Sequence, residues 1–199
     1  CTLPLLLGFI VPVAMIAAWL WHKPPTLDHK FFDLISHSML LAIAAALITL
    51  TLAVMLAWLR RFYAAPWIKP AVASASLGYA VPGTVIAIGI LVPLAALDRS
   101  FNNLLASLFD WQPGLLFSGT AVALLFAYAV RFLAVALNSV QSGMSQISTS
   151  LDRSARSLGH GRWSVMRRIH LPLLTTNLLT AVLLVFVDVL KELPATLIL

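Results

Sequence analysis

The sequence has few charged residues and a single cysteine, and both shortages restrict the kind of protein it can encode. Charged residues make up only 10% of the chain, whereas an ordinary soluble domain has about 25%. Cys1 alone permits neither an internal disulfide nor a cysteine-based metal cluster, and we assign it no role. The composition therefore excludes a soluble domain of ordinary kind and one stabilised by disulfides.

Long apolar runs take the place of the missing charge. Hydrophobic residues make up 61% of the chain, and the mean hydropathy is +0.97. Unpaired backbone groups are costly in hydrocarbon, so a segment that crosses a membrane is either a helix or a strand of a closed barrel. The runs lack the strict alternation of barrel strands. We therefore predict an all-α membrane bundle of about five spans, forming a single transmembrane domain over residues 1–199. The five runs, each near the ~20 residues that cross a bilayer, are 3–21, 38–59, 71–97, 115–137 and 171–190.

Basic residues are concentrated in the loops after the second and fourth runs. Two spans separate these loops, so both lie on the same side of the membrane, and the bias of Lys and Arg predicts that this side is cytoplasmic. Membrane orientation thus explains the net charge of +6, and no nucleic-acid partner is predicted. The basic residues in these loops are Arg60, Arg61, Lys69, Arg153, Arg156, Arg162, Arg167 and Arg168.

The connection between the fourth and fifth runs, residues 139–170, is long for a helical bundle. Within it, Leu151, Ala155 and Leu158 recur at helical spacing, which predicts a short amphipathic helix. Gly159 should end this helix, and a second helical stretch then leads into the fifth run. Such a helix can dock on a protein partner, or it can lie in the headgroups of the membrane lipid.

The stretch LDRSARSLGHGRWSVMRRIHLPLL resembles the cytoplasmic loop of binding-protein-dependent ABC importer permeases. The pattern of that loop is Glu-Ala-Ala, three residues, Gly, nine residues, Ile, one residue and Leu-Pro. Arg153 stands where the pattern has Glu, and Asp152 places a carboxylate one residue earlier. The resemblance implies a coupling helix that seats in a groove on an ATPase subunit. The coupling residues it implies are Leu151, Asp152, Arg153, Ser154, Ala155, Leu158, Gly159, Ile169, Leu171 and Pro172.

Three further stretches are similar to the ferric-iron branch of these permeases: LGYAVPGTVIAIGIL, AYAVRFLAVAL and VFVDVLKELPATLIL. That branch fuses two six-span halves, and the KELPATL stretch resembles its second half. The resemblance implies a type I ABC importer permease fold. It also implies that the chain is an excerpt of the C-terminal half, with its last span missing.

The same resemblance implies a function. The chain would be a multi-pass permease of the bacterial inner membrane that translocates ferric iron. Its partners would be an ABC ATPase subunit dimer, a periplasmic substrate-binding protein, a second permease half and membrane lipid. ATP would bind to the ATPase, and this chain would hold no cofactor.

Two polar features in the spans are candidates for the translocation pathway. Pro82 and Gly83 interrupt the third run at its middle and predict a kink, of the kind that lines transporter pathways or that occurs generally in membrane helices. Asp188, Lys191 and Glu192 lie near the outer end of the fifth run, where an ion pair within the helix is feasible. They form either a gate or an interfacial charge cluster that ends the helix.

Other patterns predict little chemistry. Arg131, within the fourth run, is expected to snorkel to the cytoplasmic interface. The scattered histidines lack zinc spacing, and no nucleophile elbow or phosphate loop is present, so neither a metal site nor a catalytic residue is predicted. Two other classes stay open: a secondary transporter with proton-carrying carboxylates, and a membrane enzyme using Asp188, Lys191 and Glu192.

Overall fold

The structure is a computed structural model that describes residue 3 and residues 6–22, 28–63, 65–109, 111 and 114–199. Within these ranges the chain forms helices and turns but no strand, which confirms the all-α class. Cys1 lies outside the described residues. The helices, in chain order, are α1 Leu6–His22, α2 His29–Phe62, α3 Ile68–Ala75, α4 Gly83–Phe109, α5 Ala121–Gln146, α6 Thr149–Ser157, α7 Arg162–Leu173, α8 Thr175–Leu190 and α9 Leu193–Ile198.

The chain divides into two compact units, Cys1–Ser38 and Met39–Leu199. The first unit contains α1, an apolar helix whose described side chains are all exposed. The second unit contains the sites described below. The single transmembrane domain stays a prediction.

Three described helices, α2, α4 and α5, are long and apolar enough to cross a bilayer. Helices α7 and α8 also reach this length together, but they meet at a bend of 74° and form a broken or re-entrant span. Helix α1 is apolar and shorter than these. Each of the five predicted runs thus contains helix, and the polytopic bundle is confirmed with three or four helices of spanning length.

Small side chains form much of the core of the second unit. Apolar surface drives little association between helices in lipid, so small residues that permit close approach take over that role. At the crossing of α5 and α8, an added Cβ on Gly143 would lie 2.6 Å from both Asn177 and Leu174. Helix α5 is central, since it packs against α3, α4, α8, α9 and the turn Gly78–Ala80. The small residues buried along α2 are Ala42, Ala45, Ala46, Thr49, Ala53 and Ala57.

The prediction of one kinked helix over residues 71–97 is wrong, because the chain leaves α-helical geometry between α3 and α4, where Gly78–Ala80 forms a 3₁₀ turn. The carbonyl of Pro82 accepts the N–H groups of Val85 and Ile86 at 3.0 and 3.2 Å, so Pro82 starts α4. Proline suits this place because the first N–H groups of a helix have no partner within it. Helix α4 then continues to Phe109, beyond residue 97, where the third run was predicted to end.

The fourth span begins at Ala121 rather than at residue 115, because Asp98 holds the preceding segment in a non-helical conformation. The buried Asp98 carboxylate accepts the N–H groups of Leu116, Phe117 and Ser118 at 3.0, 2.9 and 2.8 Å. It also accepts the Ser118 hydroxyl at 2.6 Å. Asp98 is therefore a structural anchor between α4 and the start of α5.

Candidate functional site

The loop between α5 and α8 has the predicted order of helix, glycine break and helix. Because α5 extends to Gln146, the loop starts later than the predicted residue 139. Ser148 caps α6, with its Oγ accepting the N–H of Ser150 at 3.2 Å. After α6 the chain passes through Gly159 at φ +83°, a left-handed conformation that glycine adopts without a Cβ penalty.

Asp152 points from α6 into the protein. Its side chain is buried, with Oδ2 accepting the Nε–H of Arg61 at 2.8 Å and Oδ1 lying 2.6 Å from Nε2 of His170. Since an ionised carboxylate only accepts, Nε2 of His170 is the donor. Both oxygens of Asp152 are thus bonded within the chain, and its predicted contact with an ATPase stays a prediction. We call Arg61, Asp152 and His170 the loop clamp.

Arg61 joins the loop to the end of α2 through all three of its guanidinium nitrogens. Besides the bond to Asp152, Nη1 donates to the carbonyl of Met144 at 2.5 Å, and Nη2 donates to that of Ile147 at 2.8 Å. These carbonyls lie in the last turn of α5 and directly after it, where backbone acceptors lack helical partners. One side chain thus fastens α2, α5 and α6 together.

The outward side of α6 carries four of the predicted coupling residues. Leu158 is 79% exposed, and Leu151, Arg153 and Ser154 are also exposed, whereas Ala155 is buried. The predicted stripe of Leu151, Ala155 and Leu158 is therefore divided between the core and the surface. We call the exposed set Leu151, Arg153, Ser154 and Leu158 the docking face.

Helix α7 carries the loop back toward the bundle. Its middle is a π-helical turn, Met166–His170, which contains the half-buried Ile169. Leu171 and Pro172 occupy its last turn, just before the bend at Leu174. Because buried His170 lies in the π-helical turn, the loop clamp also fixes the base of the span that α7 and α8 form.

A second polar cluster lies where the break between α3 and α4 and the break between α8 and α9 both meet α5. Nε of Arg131 is 3.2 Å from Oε2 of the buried Glu192, and its Nη1 donates to the carbonyl of Val81 at 3.1 Å. Arg131 therefore turns into the protein, and the prediction that it snorkels is wrong. We call Val81, Gly83, Arg131 and Glu192 the junction.

Gly83 is needed at the junction because two charged side chains approach its backbone. An added Cβ would lie 2.1 Å from Oε1 of Glu192 and 2.7 Å from Nη1 of Arg131. Gly78 makes a similar close contact, since its Cβ would lie 2.1 Å from the carbonyl oxygen of Val130. Glycine thus permits the close approach of the broken span to α5.

Asp188 and Glu192, the two acidic residues near the outer end of the fifth run, belong to two different sites. Lys191 Nζ lies 3.0 Å from Oδ1 of Asp188, which confirms the ion pair within the helix. Glu192, one residue beyond, belongs instead to the junction. Among the described residues, no group of three His, Cys, Asp or Glu side chains is placed to hold a metal ion.

Sequence reasoning misses Arg61, His170 and Arg131 as site residues. It counts Arg61 only toward membrane orientation and treats His170 as one of several scattered histidines. Arg131 and His170 did carry a signal, since an ionisable group within or beside an apolar run calls for a partner. Their partners are distant in sequence, and only the folded chain brings them together.

Comparison with known proteins assigns the class. Residues 70–199 match the family of the binding-protein-dependent transport system inner membrane component, and the chain belongs to this family of transport permeases. The chain is 28% identical over 202 residues to the Fe(3+)-transport system permease protein FbpB 2 of Haemophilus influenzae, covering 98% of this chain and 36% of that protein. It is 28% identical over 111 residues to the molybdenum transport system permease protein ModB of Escherichia coli, covering 56% of this chain and 47% of ModB. The chain thus spans about a third of the first relative and about half of the second.

Proposed function

We propose that this chain is a permease component of a bacterial inner-membrane ABC importer, working with a separate dimeric ATPase. The observation that carries the proposal is the construction of the loop between α5 and α8. It presents two leucines and an arginine outward, while its carboxylate is tied inward. An apolar face flanked by charge suits docking in a groove on a protein partner.

The loop clamp would transmit a displacement of α6 to other helices of the chain. A displacement of α6 is resisted at Asp152 by Arg61 of α2 and by His170 at the base of the last span. Motion imposed on α6 by nucleotide-driven closure of the ATPase would therefore move α2 and α7 with it. ATP binds the partner in this proposal, and no cofactor is assigned to this chain.

Ferric iron is the proposed cargo, delivered by a periplasmic binding protein. The ferric relative aligns with nearly the whole chain, whereas the molybdenum relative aligns with little more than half. A second permease half would complete the pathway. We also propose that the chain belongs to the C-terminal half of a fused permease of the ferric type. Pro82, Gly83, Asp188, Lys191 and Glu192 remain the proposed pathway residues.

The coupling proposal is tested by Leu158→Glu in an importer reconstituted with its ATPase and binding protein. A buried carboxylate without a partner would weaken docking, so both ATPase co-purification and ATP-driven Fe(III) uptake should be lost. The matched control is Leu115→Glu, an exposed leucine before the other end of α5, which should retain the ATPase. Normal uptake by the Leu158 variant would overturn the proposed docking face.

A further inference from the structure

A basic pocket of about 630 Å³ lies between the end of α2 and the start of α3. Arg60, Arg61 and Lys69 line it, and no acidic residue is among its described lining residues. Arg60 is bonded to Gln141, and Arg61 is paired with Asp152. Lys69 is exposed and has no side-chain hydrogen bond or ion pair to a described residue. The pocket therefore holds positive charge that the described chain does not neutralise.

Arg162 adds a second available cation at the edge of the pocket. Its Cζ lies 4.6 Å from the centre of the Tyr63 ring, and Tyr63 lines the pocket. A guanidinium over an aromatic face keeps N–H groups at its edge, where they can donate to a phosphate. The exposed Arg162 side chain has no hydrogen bond or ion pair to a described residue. Lys69 and Arg162 can therefore both bind an anion.

An apolar groove of about 390 Å³ adjoins the pocket along α2, and α7 and α8 form its other walls. Trp58 lines the groove and Tyr63 lines the pocket, and the centres of their rings are 5.6 Å apart. The groove reaches Leu50, so it follows α2 for about 12 Å. Thr51 is the one hydroxyl-bearing residue described in its walls, and its Oγ1 donates to the carbonyl of Leu47 at 2.7 Å. The walls are therefore suited to a hydrocarbon chain.

Aromatic side chains place the pocket at the level of the lipid headgroups. Tyr63, Trp67 and Trp163 are 41%, 62% and 64% exposed. Exposed Trp and Tyr side chains near the end of a span are typical of the interface between membrane and water. The groove runs from Trp58 toward the middle of α2, which is the depth of the acyl chains. The pocket and the groove thus match the two parts of a phospholipid.

The charge of the pocket selects the kind of phospholipid. An anionic headgroup such as phosphatidylglycerol brings one negative charge to Lys69 and Arg162, whereas a zwitterionic headgroup also brings an ammonium that these cations repel. A cytoplasmic protein can reach the basic pocket, but the groove lies along helices of spanning length. An occupant of both therefore has an anionic head and an apolar tail.

We propose that the basic pocket and the apolar groove bind one anionic phospholipid, with Lys69 and Arg162 on its phosphate and an acyl chain along α2. The lipid site is separate from the docking face, the junction and the proposed pathway residues, because none of those residues lines the pocket or the groove. The proposal does not depend on which cargo is transported.

The test uses the intact importer in nanodiscs of phosphatidylcholine that contain a little phosphatidylglycerol with a diazirine in its acyl chain. After irradiation, mass spectrometry of peptides locates the label. We expect labelling of residues 50–58 or 166–178, which excess unlabelled phosphatidylglycerol suppresses and inorganic phosphate does not. A phosphatidylcholine with the same diazirine should label these residues about tenfold less, because it lacks the net negative charge.

Two double variants separate the lipid site from general surface charge. Lys69→Ala with Arg162→Ala removes both phosphate ligands and should reduce labelling by phosphatidylglycerol about tenfold. The matched control is Arg167→Ala with Arg168→Ala, which removes the same charge from exposed residues of α7 that do not line the pocket. The control should label as the parent does. Equal losses in the two variants would overturn the site.

Three further results would overturn the proposal. Equal labelling by the two lipid probes would mean that the groove accepts any lipid, and suppression by inorganic phosphate would mean that the pocket holds a free anion. Labelling that appears only after the ATPase is removed would mean that the partner covers the pocket. The probes are compared on the parent protein without ATP, so neither a misfolded variant nor a failure of ATP-driven uptake affects that comparison.

Discussion

The loop clamp and the junction both contain a buried carboxylate facing an arginine from another helix, but they satisfy it differently. At the clamp, both oxygens of Asp152 are bonded, and Arg61 uses all three of its nitrogens. At the junction, Oε1 of Glu192 is buried without a hydrogen-bond partner among the described residues, and Nε of Arg131 meets Oε2 only as an ion pair. Hydrogen bonds hold the clamp together, whereas the junction is held mainly by one ion pair and by close packing against Gly83.

This difference suits the two roles that the proposed function gives to the loop clamp and the junction. At the clamp, Asp152 and Arg61 use all of their side-chain oxygens and nitrogens, although Nδ1 of His170 is buried without a hydrogen-bond partner among the described residues. Such a joint transmits displacement, since bending it would leave several buried groups unpaired. An incompletely satisfied ion pair between interrupted helices is easier to open, because fewer bonds are lost on separation. We therefore expect force to enter through the clamp and rearrangement to occur at the junction.

The largest loss of folding stability is expected from a substitution at the junction. Glu192→Ala leaves the Arg131 charge buried without its partner, which should lower the free energy of unfolding by about 3–5 kcal/mol. Asp188→Ala removes the more exposed pair with Lys191 and should cost about 1 kcal/mol or less. Denaturant unfolding of the purified protein in detergent measures both, and equal losses would contradict the distinction between the two acids.

The next effect is expected at the clamp. Arg61→Ala leaves two carbonyls and one oxygen of Asp152 without this donor, while His170 still bonds the other oxygen, so the free energy of unfolding should fall by about 1–3 kcal/mol in total. Uptake should fall while the ATPase still hydrolyses ATP, because α6 docks but no longer moves α2. Arg60→Ala is the matched control, since its one described side-chain bond is to Gln141 at 2.7 Å. Preserved uptake per ATP in the Arg61 variant would show that the clamp does not transmit force.

The sequence pattern predicted the loop better than the breaks in the spans, because the signals for the loop lie close together in the sequence. Hydrophobic periodicity and Gly159 define α6 and its end within a dozen residues, so the helix and its break are readable. Which side of α6 faces inward depends on Arg61 and His170, which are distant in sequence. Likewise, Pro82 signals a break, but only the fold places Arg131 and Glu192 against Gly83, and only Asp98 explains the late start of α5.

A smaller change in stability should distinguish the close packing around Gly83 at the junction from ordinary helix packing. Gly83→Ala places a Cβ against Glu192 and Arg131, and because both atoms belong to side-chain ends, the ion pair should shift at a cost of about 1–2 kcal/mol. Gly89→Ala, in the same helix with nothing within 4 Å of its Cβ, should instead stabilise by about 0.5–1 kcal/mol. Opposite signs in thermal unfolding are expected, and a stabilising Gly83 variant would mean that the junction is loosely packed.

An effect on stability about as small as that at Gly83 should come from the turn that follows α6, where it reports backbone conformation without any side-chain contact. An added Cβ meets nothing within 4 Å at either Gly159 or Gly161, so neither substitution is opposed by packing. Gly159 has φ +83°, where a side chain costs about 1–2 kcal/mol, whereas Gly161 has φ −69°, which any residue adopts. Gly159→Ala should therefore lower stability and weaken ATPase co-purification slightly, while Gly161→Ala should leave both near the parent values. If both variants behave alike, the direction of the chain after α6 is set by the loop clamp, and the glycine conformation contributes little to presenting the docking face.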